Sequence, residues 1–359
     1  MARATSMPTV GWANAIAFTV LVALAGQACS TSTEDHSTHV KAGESIQKAI
    51  NEADSGATIY VGPGTYAEQL TVDKDGICLI GSGAVLVPPA IPSNNTCSGL
   101  AGNDTQAGIC VTGSEISLAP YIAEHRKVLS VGKPVKGVSI TGFEVRNFTG
   151  QNIAVVGGKG TKVTKNTLID GSTYGFLTVG SNQTLADSNV VNSTDTLRFI
   201  GLCMDDISEA EFSNNDIYGY FIALCIQTKG AIIKKNKVSN GCVGAFVDPG
   251  IEHAKVIGNH ISASNPACAK GGPNAGIIVN GAKDSLILKN IVEGQKNGGM
   301  AGGIVVVDDF STPALPIASG NVVKYNILKD NDFNIFVNTT GTGNVIENNS
   351  CSTPGPGCA

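Results

Sequence analysis

The stretch FSNNDIYGYFIALCIQTKGAIIKKNKVSNGCVGAFVDPGIEHAKVIGNHI, residues 212–261, decides the fold. One pattern, apolar-x-x-Asn-x-apolar, occurs in it three times: Phe212, Asn215, Ile217; then Ile233, Asn236, Val238; then Val256, Asn259, Ile261. Short β-rich runs such as ALCI (223–226) separate the asparagines, and Gly, Asn and Asp punctuate them as turns. The pattern continues outward as Val163, Asn166, Leu168; Ala186, Asn189, Val191; Ile287, Asn290, Val292; and Val323, Asn326, Leu328, ending at Val345 and Asn348. Ile140, Phe143 and Val145 fit one period earlier, with phenylalanine in the asparagine slot. Successive asparagines lie 23, 26, 21, 23, 31, 36 and 22 residues apart.

A period of 21 to 26 residues holds two or three short strands and leaves no room for a helix. The sequence therefore predicts an all-β right-handed parallel β-helix, with one coil per period. The two long periods carry insertions, at 262–274 and 309–320. Each repeated asparagine is expected at a bend, in the left-handed conformation, with its amide bonded to the amide of the next coil. Upstream, ESIQKAINEA (44–53) has apolar residues at 46, 49, 50 and 53, the spacing of an amphipathic helix. A solenoid needs its first coil covered, and this short N-terminal helix is placed to cap it.

That helix is followed by IYVGPGTYAEQLTV (59–72) and ICLIGSG (77–83). The succession resembles the opening of the pectin-lyase-like superfamily, and the resemblance runs over residues 38 to 351, nearly the whole chain beyond its leader. It implies the β-helix fold but not one reaction, since that fold hosts lyases, hydrolases, esterases, epimerases and non-enzymes. The chain departs from the enzyme patterns within it. Asp205-Asp206 matches only the aspartate doublet of the polygalacturonases, no Gly-His-Gly follows, and no arginine lies beyond Arg198.

Composition agrees with secretion and excludes some partners. Charged residues make up 15% of the chain, against roughly 25% in an average soluble protein. The net charge is -5 and there are four arginines, so no phosphate-binding surface, and hence no nucleic-acid partner, is expected. Residues 15–25 (AIAFTVLVALA) are too short to span a bilayer and are followed by small residues, so residues 1–28 read as a secretory signal. A bacterial lipoprotein anchored at Cys29 is the rival reading. Residues 29–43 read as a polar linker, 44–351 as one β-helix domain and 352–359 as a tail. A secreted, extracellular monomer with no membrane partner is expected. Ten cysteines suit an oxidising compartment, and seven N-x-[ST] sequons suit a glycoprotein. Coil spacing makes Cys97–Cys110, Cys242–Cys268 and Cys351–Cys358 plausible disulfides. Cys203 and Cys225, one period apart, either bond or stack, and Cys78 reads as a free core thiol.

Chemistry is expected at one corner. Aligned on their asparagines, the early coils end their preceding strand in Val156 and Val179, whereas later coils carry Asp205-Asp206, Gln227, Asp248, Asn280, Asp308-Asp309 and Asn338 there. Lys229, Glu252 and His253 follow on the same turn, and Arg198 enters the Asp205 coil from its other side. Asp205, Asp206, Asp248 and His253 are the candidate catalytic residues. Arg198, Gln227, Lys229, Asn280, Asp308 and Asp309 are the candidate substrate contacts. His125 and Arg126 precede the repeats and are not counted among them. Two coils separate Asp205 from Asp248 by about 9–10 Å, the wide end of the carboxylate pairing that inverting glycosidases use. Elimination from a uronic acid needs a base and a cation on the sugar carboxylate, for which Lys229, Arg198 or an Asp-bound Ca²⁺ would serve; no other cofactor is expected. A polysaccharide, in particular an acidic one, is the expected partner. Two other readings stay open: a non-catalytic β-helix that binds glycans or cell wall, and a β-helix recruited for a small-molecule cyclisation or isomerisation. Every one of these acids also has a plain structural use, capping backbone N–H groups at coil turns.

Overall fold

The computed structural model describes Cys29 and residues 37–194, 197–268, 273–311 and 314–358. The expected secretory signal, residues 1–28, lies outside the described residues. The chain winds as a right-handed parallel β-helix with three long faces, which among the described residues are sheets of 12, 11 and 10 strands. Each coil adds one strand to each face. The coil of Asn259, for example, supplies Lys255–Ile257, His260–Ser262 and, after an insertion, Ala275–Asn280. Strands of the first two sheets are mostly three residues long, with a buried centre between half-exposed neighbours. Ile287 is such a centre, between Leu286 and Leu288, and Val292 is another, between Ile291 and Glu293. Period-two alternation sends that one residue inward, and the inward residues Val256, Ile261 and Ile277 are essentially inaccessible.

The asparagine stack forms as expected. Asn166, Asn189, Asn215, Asn236, Asn259, Asn290, Asn326 and Asn349 are buried. Each Nδ2 donates to the next Oδ1, at 2.9–3.1 Å. Phe143 takes the vacant slot, and its backbone N donates to Asn166 Oδ1. Two details differ from the sequence expectation. The left-handed residue is the one before each asparagine: Lys165, Ser188, Asn214, Lys235, Gly258, Lys289, Tyr325 and Asn348 all have φ between 53° and 65°. The asparagine itself faces inward, so its amide serves the stack. The last coil is also shifted by one residue. Val323 pairs with Ile346, which puts Asn349 in the stack and Asn348 at the bend.

The solenoid begins earlier than the sequence suggests. Ser37–Val40, inside the stretch read as a linker, pairs in parallel with Thr58–Val61. The cap helix spans Ile46–Glu52 and buries Ile46, Ala49 and Ile50. Ser45 caps it by accepting from Lys48 N, and Glu68 accepts from the N–H groups of Ile46 and Gln47. Five disulfides are present: Cys97–Cys110, Cys203–Cys225, Cys242–Cys268, Cys351–Cys358 and Cys29–Cys78. The last corrects the expectation of a free thiol at Cys78, which opens the strand Cys78–Gly81 and meets Cys29 there. Among the described residues no helix is long and apolar enough to cross a membrane.

One element departs from the parallel winding. Ser114–Leu118 and Val128–Lys133 form an antiparallel hairpin outside the three faces. With Leu100 and Ala101 of the preceding insertion, it packs Ile116, Leu118 and Val128 over the outer side of the ten-stranded sheet, against Leu177, Val179, Cys203 and Cys225. The hairpin tip, residues 119–127, thereby reaches the corner where Asp205 ends its strand.

Candidate functional site

Strand register places the corner residues. Val179 pairs with Asp205 at the end of Arg198–Asp205. Met204, Ile226, Val247 and Val279 align on the next coils, so Gln227, Asp248 and Asn280 continue the Asp205 position as successive rungs. Asn280 then pairs with Val307, and Val307 with Asn338. The rung beyond Asn280 is thus Val307, and Asp308 and Asp309 fall past it.

Three residues of the hairpin tip close over this ladder. His125 is buried; its Nε2 lies 3.0 Å from Asp205 Oδ2 and its Nδ1 lies 3.1 Å from the Tyr174 hydroxyl. That pattern fits an Nε2–H donating to Asp205 and an Nδ1 accepting from Tyr174. Lys127 Nζ sits 3.0 Å from Asp205 Oδ2 and 2.6 Å from Gln227 Oε1. Gln227 Nε2 donates to Asp248 Oδ2 at 2.7 Å and to Glu124 Oε2 at 2.8 Å. Asp205, Gln227 and Asp248 are therefore linked through side chains on the outside of the solenoid.

The surroundings shift the two aspartates in opposite directions. Burial raises the Asp205 carboxyl, but the His125 hydrogen bond and the Lys127 charge outweigh it, leaving the group below the ordinary carboxylate value. Burial, and then the Glu124 charge, hold Asp248 well above that value, against the pull of Gln227 and Lys127. Two carboxyls displaced in opposite directions thus stand two coils apart, an arrangement suited to accepting a proton at one end and delivering one at the other.

The remaining candidates go elsewhere. Asp206 is buried and accepts from Thr178 Oγ1 at 2.7 Å and from Ser181 N at 3.2 Å; burial lifts it to about 6. Asp308 accepts from Ala318 N, Thr340 N and the hydroxyls of Thr339 and Thr340, tying down the 309–320 insertion. Asp309 accepts from Ser311 N, Ser311 Oγ and Asn280 Nδ2. Lys229 forms an exposed ion pair with Glu252 at 2.5 Å. His253 is an exposed turn residue with φ 61°, its N–H bonded to Lys283 O. Arg198 stands at the opposite end of the strand from Asp205, facing Asp170 at 3.9 Å. Among the described residues no cluster of three or more His, Cys, Asp or Glu side chains has the geometry to hold a metal ion.

Reasoning from the sequence set His125 aside because it precedes the repeats, and missed Glu124 and Lys127 beside it. Their signal was Glu124-His125-Arg126-Lys127, the longest unbroken run of charged and histidine residues in a chain with few charges. Tyr174 carried no signal, because an aromatic residue at the start of a β-run reads as core.

The fold defines the class: a right-handed parallel β-helix. A family model described as a right-handed β-helix region matches residues 200–358. By sequence, no curated protein matches the chain. Solved structures match through the fold. The A-module of the mannuronan C-5 epimerase AlgE6 of Azotobacter vinelandii is 14% identical, with a TM-score of 0.58 over 86% of this chain and 94% of that one. PfbA, a surface adhesin of Streptococcus pneumoniae, is 14% identical, with a TM-score of 0.54 over 85% of each chain. The periplasmic alginate epimerase AlgG, as a T265N mutant, is 13% identical, with a TM-score of 0.51 over 87% and 83%.

Proposed function

We propose that this is a secreted enzyme that cleaves or modifies an acidic polysaccharide on the outer face of its ten-stranded sheet. The observation that carries this reading is the pair Asp205 and Asp248, displaced in opposite directions and joined through Gln227. Asp205 acts as base, because it stays ionised. Asp248 acts as acid, because burial and the Glu124 charge favour its protonated form. Lys127 is the cation beside them and neutralises a sugar carboxylate, which lowers the cost of removing the proton next to it. His125 and Tyr174 are buried and position Asp205 without touching substrate. A polysaccharide chain running along the solenoid axis meets one rung about every 4.8 Å, so Asp205, Gln227, Asp248 and Asn280 contact successive parts of it. The structural likeness to a mannuronan C-5 epimerase module and an alginate epimerase supports a uronate substrate. Five disulfides support an extracellular setting.

The likeness to an adhesin favours a second reading, in which the same face binds a glycan without turning it over. One screen separates the two. The protein is incubated with a panel of polyuronates and neutral wall glycans, following unsaturated uronates, new reducing ends and C5 epimers. Turnover that falls about 10²-fold or more in Asp205→Asn and Asp248→Asn supports the enzyme. Binding without turnover, weakened in the same variants, supports the adhesin reading. Full turnover in both variants contradicts the assignment of these acids.

A further inference from the structure

The arginines among the described residues differ in what they face. Arg146 pairs with Glu144 at 3.0 Å, and Arg198 faces Asp170 at 3.9 Å. Arg126, at the hairpin tip, pairs with no carboxylate among the described residues. Its Nε donates to Ala119 O at 2.7 Å and its Nη2 to Leu118 O at 3.3 Å, which ties one arm of the hairpin to the other. Nη1 meets no protein group among the described residues and stays accessible. The side chain is half-buried, so its charge is partly desolvated without a counter-charge to offset the cost.

Arg126 also turns away from the ladder. Its neighbours His125 and Lys127 reach Asp205, whereas its own backbone N donates to Leu100 O at 2.8 Å, in the insertion before the hairpin. Its side chain opens on a pocket of about 410 Å³ between tip and insertion, lined with it by Gly99, Asn103, Asp104, Pro120 and Tyr121. Tyr121 is 40% exposed. Its ring rests on the insertion, since a β-carbon built on Gly102 would lie 3.7 Å from Tyr121 Cζ. Asn103 and Asp104 are exposed. A cation, a carboxylate, an amide and a flat aromatic wall therefore face one space.

We propose that this pocket binds one hexuronate unit of a polysaccharide, off the sheet and away from the acids at Asp205. The Arg126 guanidinium pairs with the sugar carboxylate, for which its planar fork is matched. Tyr121 offers its ring face to the C–H side of the sugar. Asn103 and Asp104 donate to and accept from the ring hydroxyls. A neutral sugar would leave Arg126 without a counter-charge, and Asp104 would repel a phosphate. A singly charged, hydroxyl-bearing ring satisfies both. The ligand class rests on the uronate reading under Proposed function, but the pocket shares no residue with the acids of that reading. It sets a preference for uronate chains without taking part in proton transfer.

The full chain is made in a bacterial periplasm, where disulfides form and the sequon at Asn103 stays unmodified. It carries Asp248→Asn so that the probes survive. Hexamers of mannuronate, guluronate and galacturonate are titrated by calorimetry beside their neutral, carboxyl-reduced counterparts. This parent is expected to bind at least one uronate hexamer about tenfold more tightly than its counterpart. Arg126→Gln should abolish most of that preference and leave the neutral affinity unchanged. Arg126→Lys, which keeps the charge without the fork, should retain part of it. Tyr121→Ala should weaken acidic and neutral hexamers alike. Hydrogen exchange over residues 119–127 separates a lost contact from a loosened tip, and Arg126→Lys decides if Arg126→Gln loosens it. A preference that survives substitution of Arg126 and disappears in Lys127→Ala overturns this inference while leaving the proposed function standing. A preference lost with Arg126, in a protein that turns over no polyuronate, upholds the inference and overturns the proposed reaction. No uronate preference in the parent overturns the inference outright.

Discussion

Asn236 shows what a single side chain does in this architecture. Its Nδ2 donates to Phe212 O and Asn259 Oδ1, and its Oδ1 accepts from both the backbone N and the Nδ2 of Asn215. Asn236→Ala removes all four of these bonds and leaves the buried Asn215 N without its acceptor, although Asn215 Nδ2 keeps Ala186 O and Asn259 Oδ1 keeps the backbone N of residue 236. The expected cost is about 3 kcal/mol, read from denaturant unfolding. Asp308 does comparable work at a turn, and its contribution depends on pH. Burial raises its carboxyl, but the hydrogen bonds from Thr339, Thr340 and Ala318 outweigh this and hold it at about 2. An unfolded aspartate titrates near ~3.9. Because the folded value is the lower one, the folded state binds its proton less tightly, and this stabilisation is present above pH ~4 and lost as pH falls through about 2. Asp308→Asn should therefore lose about 2 kcal/mol at neutral pH. The variant should also lose less stability than wild type on acidification, measured by urea unfolding at stepped pH.

The hairpin over Ser114–Lys133 is the element that separates a bare solenoid from a site. Ile116, Leu118 and Val128 fix its base to the sheet, and His125 and Lys127 fix its tip to Asp205. His125→Ala should free residues 119–127 while leaving the coils intact. Hydrogen exchange should then speed up in that segment alone, and Asp205, having lost a hydrogen bond that favours its ionised form, should titrate at a higher pH. Exchange rising equally across the ten-stranded sheet would contradict the hairpin's separate role. This element is also where sequence reading stops. The coils were legible because each repeats one bend, one buried asparagine and one inward apolar residue per short strand. The ladder of Asp205, Gln227, Asp248 and Asn280 was legible for the same reason, since register follows the repeat. The hairpin occurs once and has no period. Which rung it covers is set by how its apolar side packs, and nothing local in Glu124–Lys127 encodes the distance to Asp205. Asp308 was drawn into the ladder because the sequence could not place Val307 as the residue opposite Asn280.

At the scale of the whole molecule, the β-helix supplies rigidity and even spacing. Rungs on neighbouring coils are held about 4.8 Å apart by the ladder of backbone hydrogen bonds, so Asp205 and Asp248 keep their separation without any closing motion. The central claim is that one corner holds the Asp205 carboxyl below, and the Asp248 carboxyl above, the ordinary aspartate value across Gln227. The measurement that tests it most directly is an NMR titration of the side-chain carboxyl carbons, assigned with Asp205→Asn and Asp248→Asn. The account predicts that Asp205 titrates below the ordinary aspartate range and Asp248 well above it, with Asp248 moving down when Asp205→Asn removes the neighbouring charge. Two carboxyls that titrate together in the ordinary range, with Asp248 indifferent to Asp205→Asn, would contradict it.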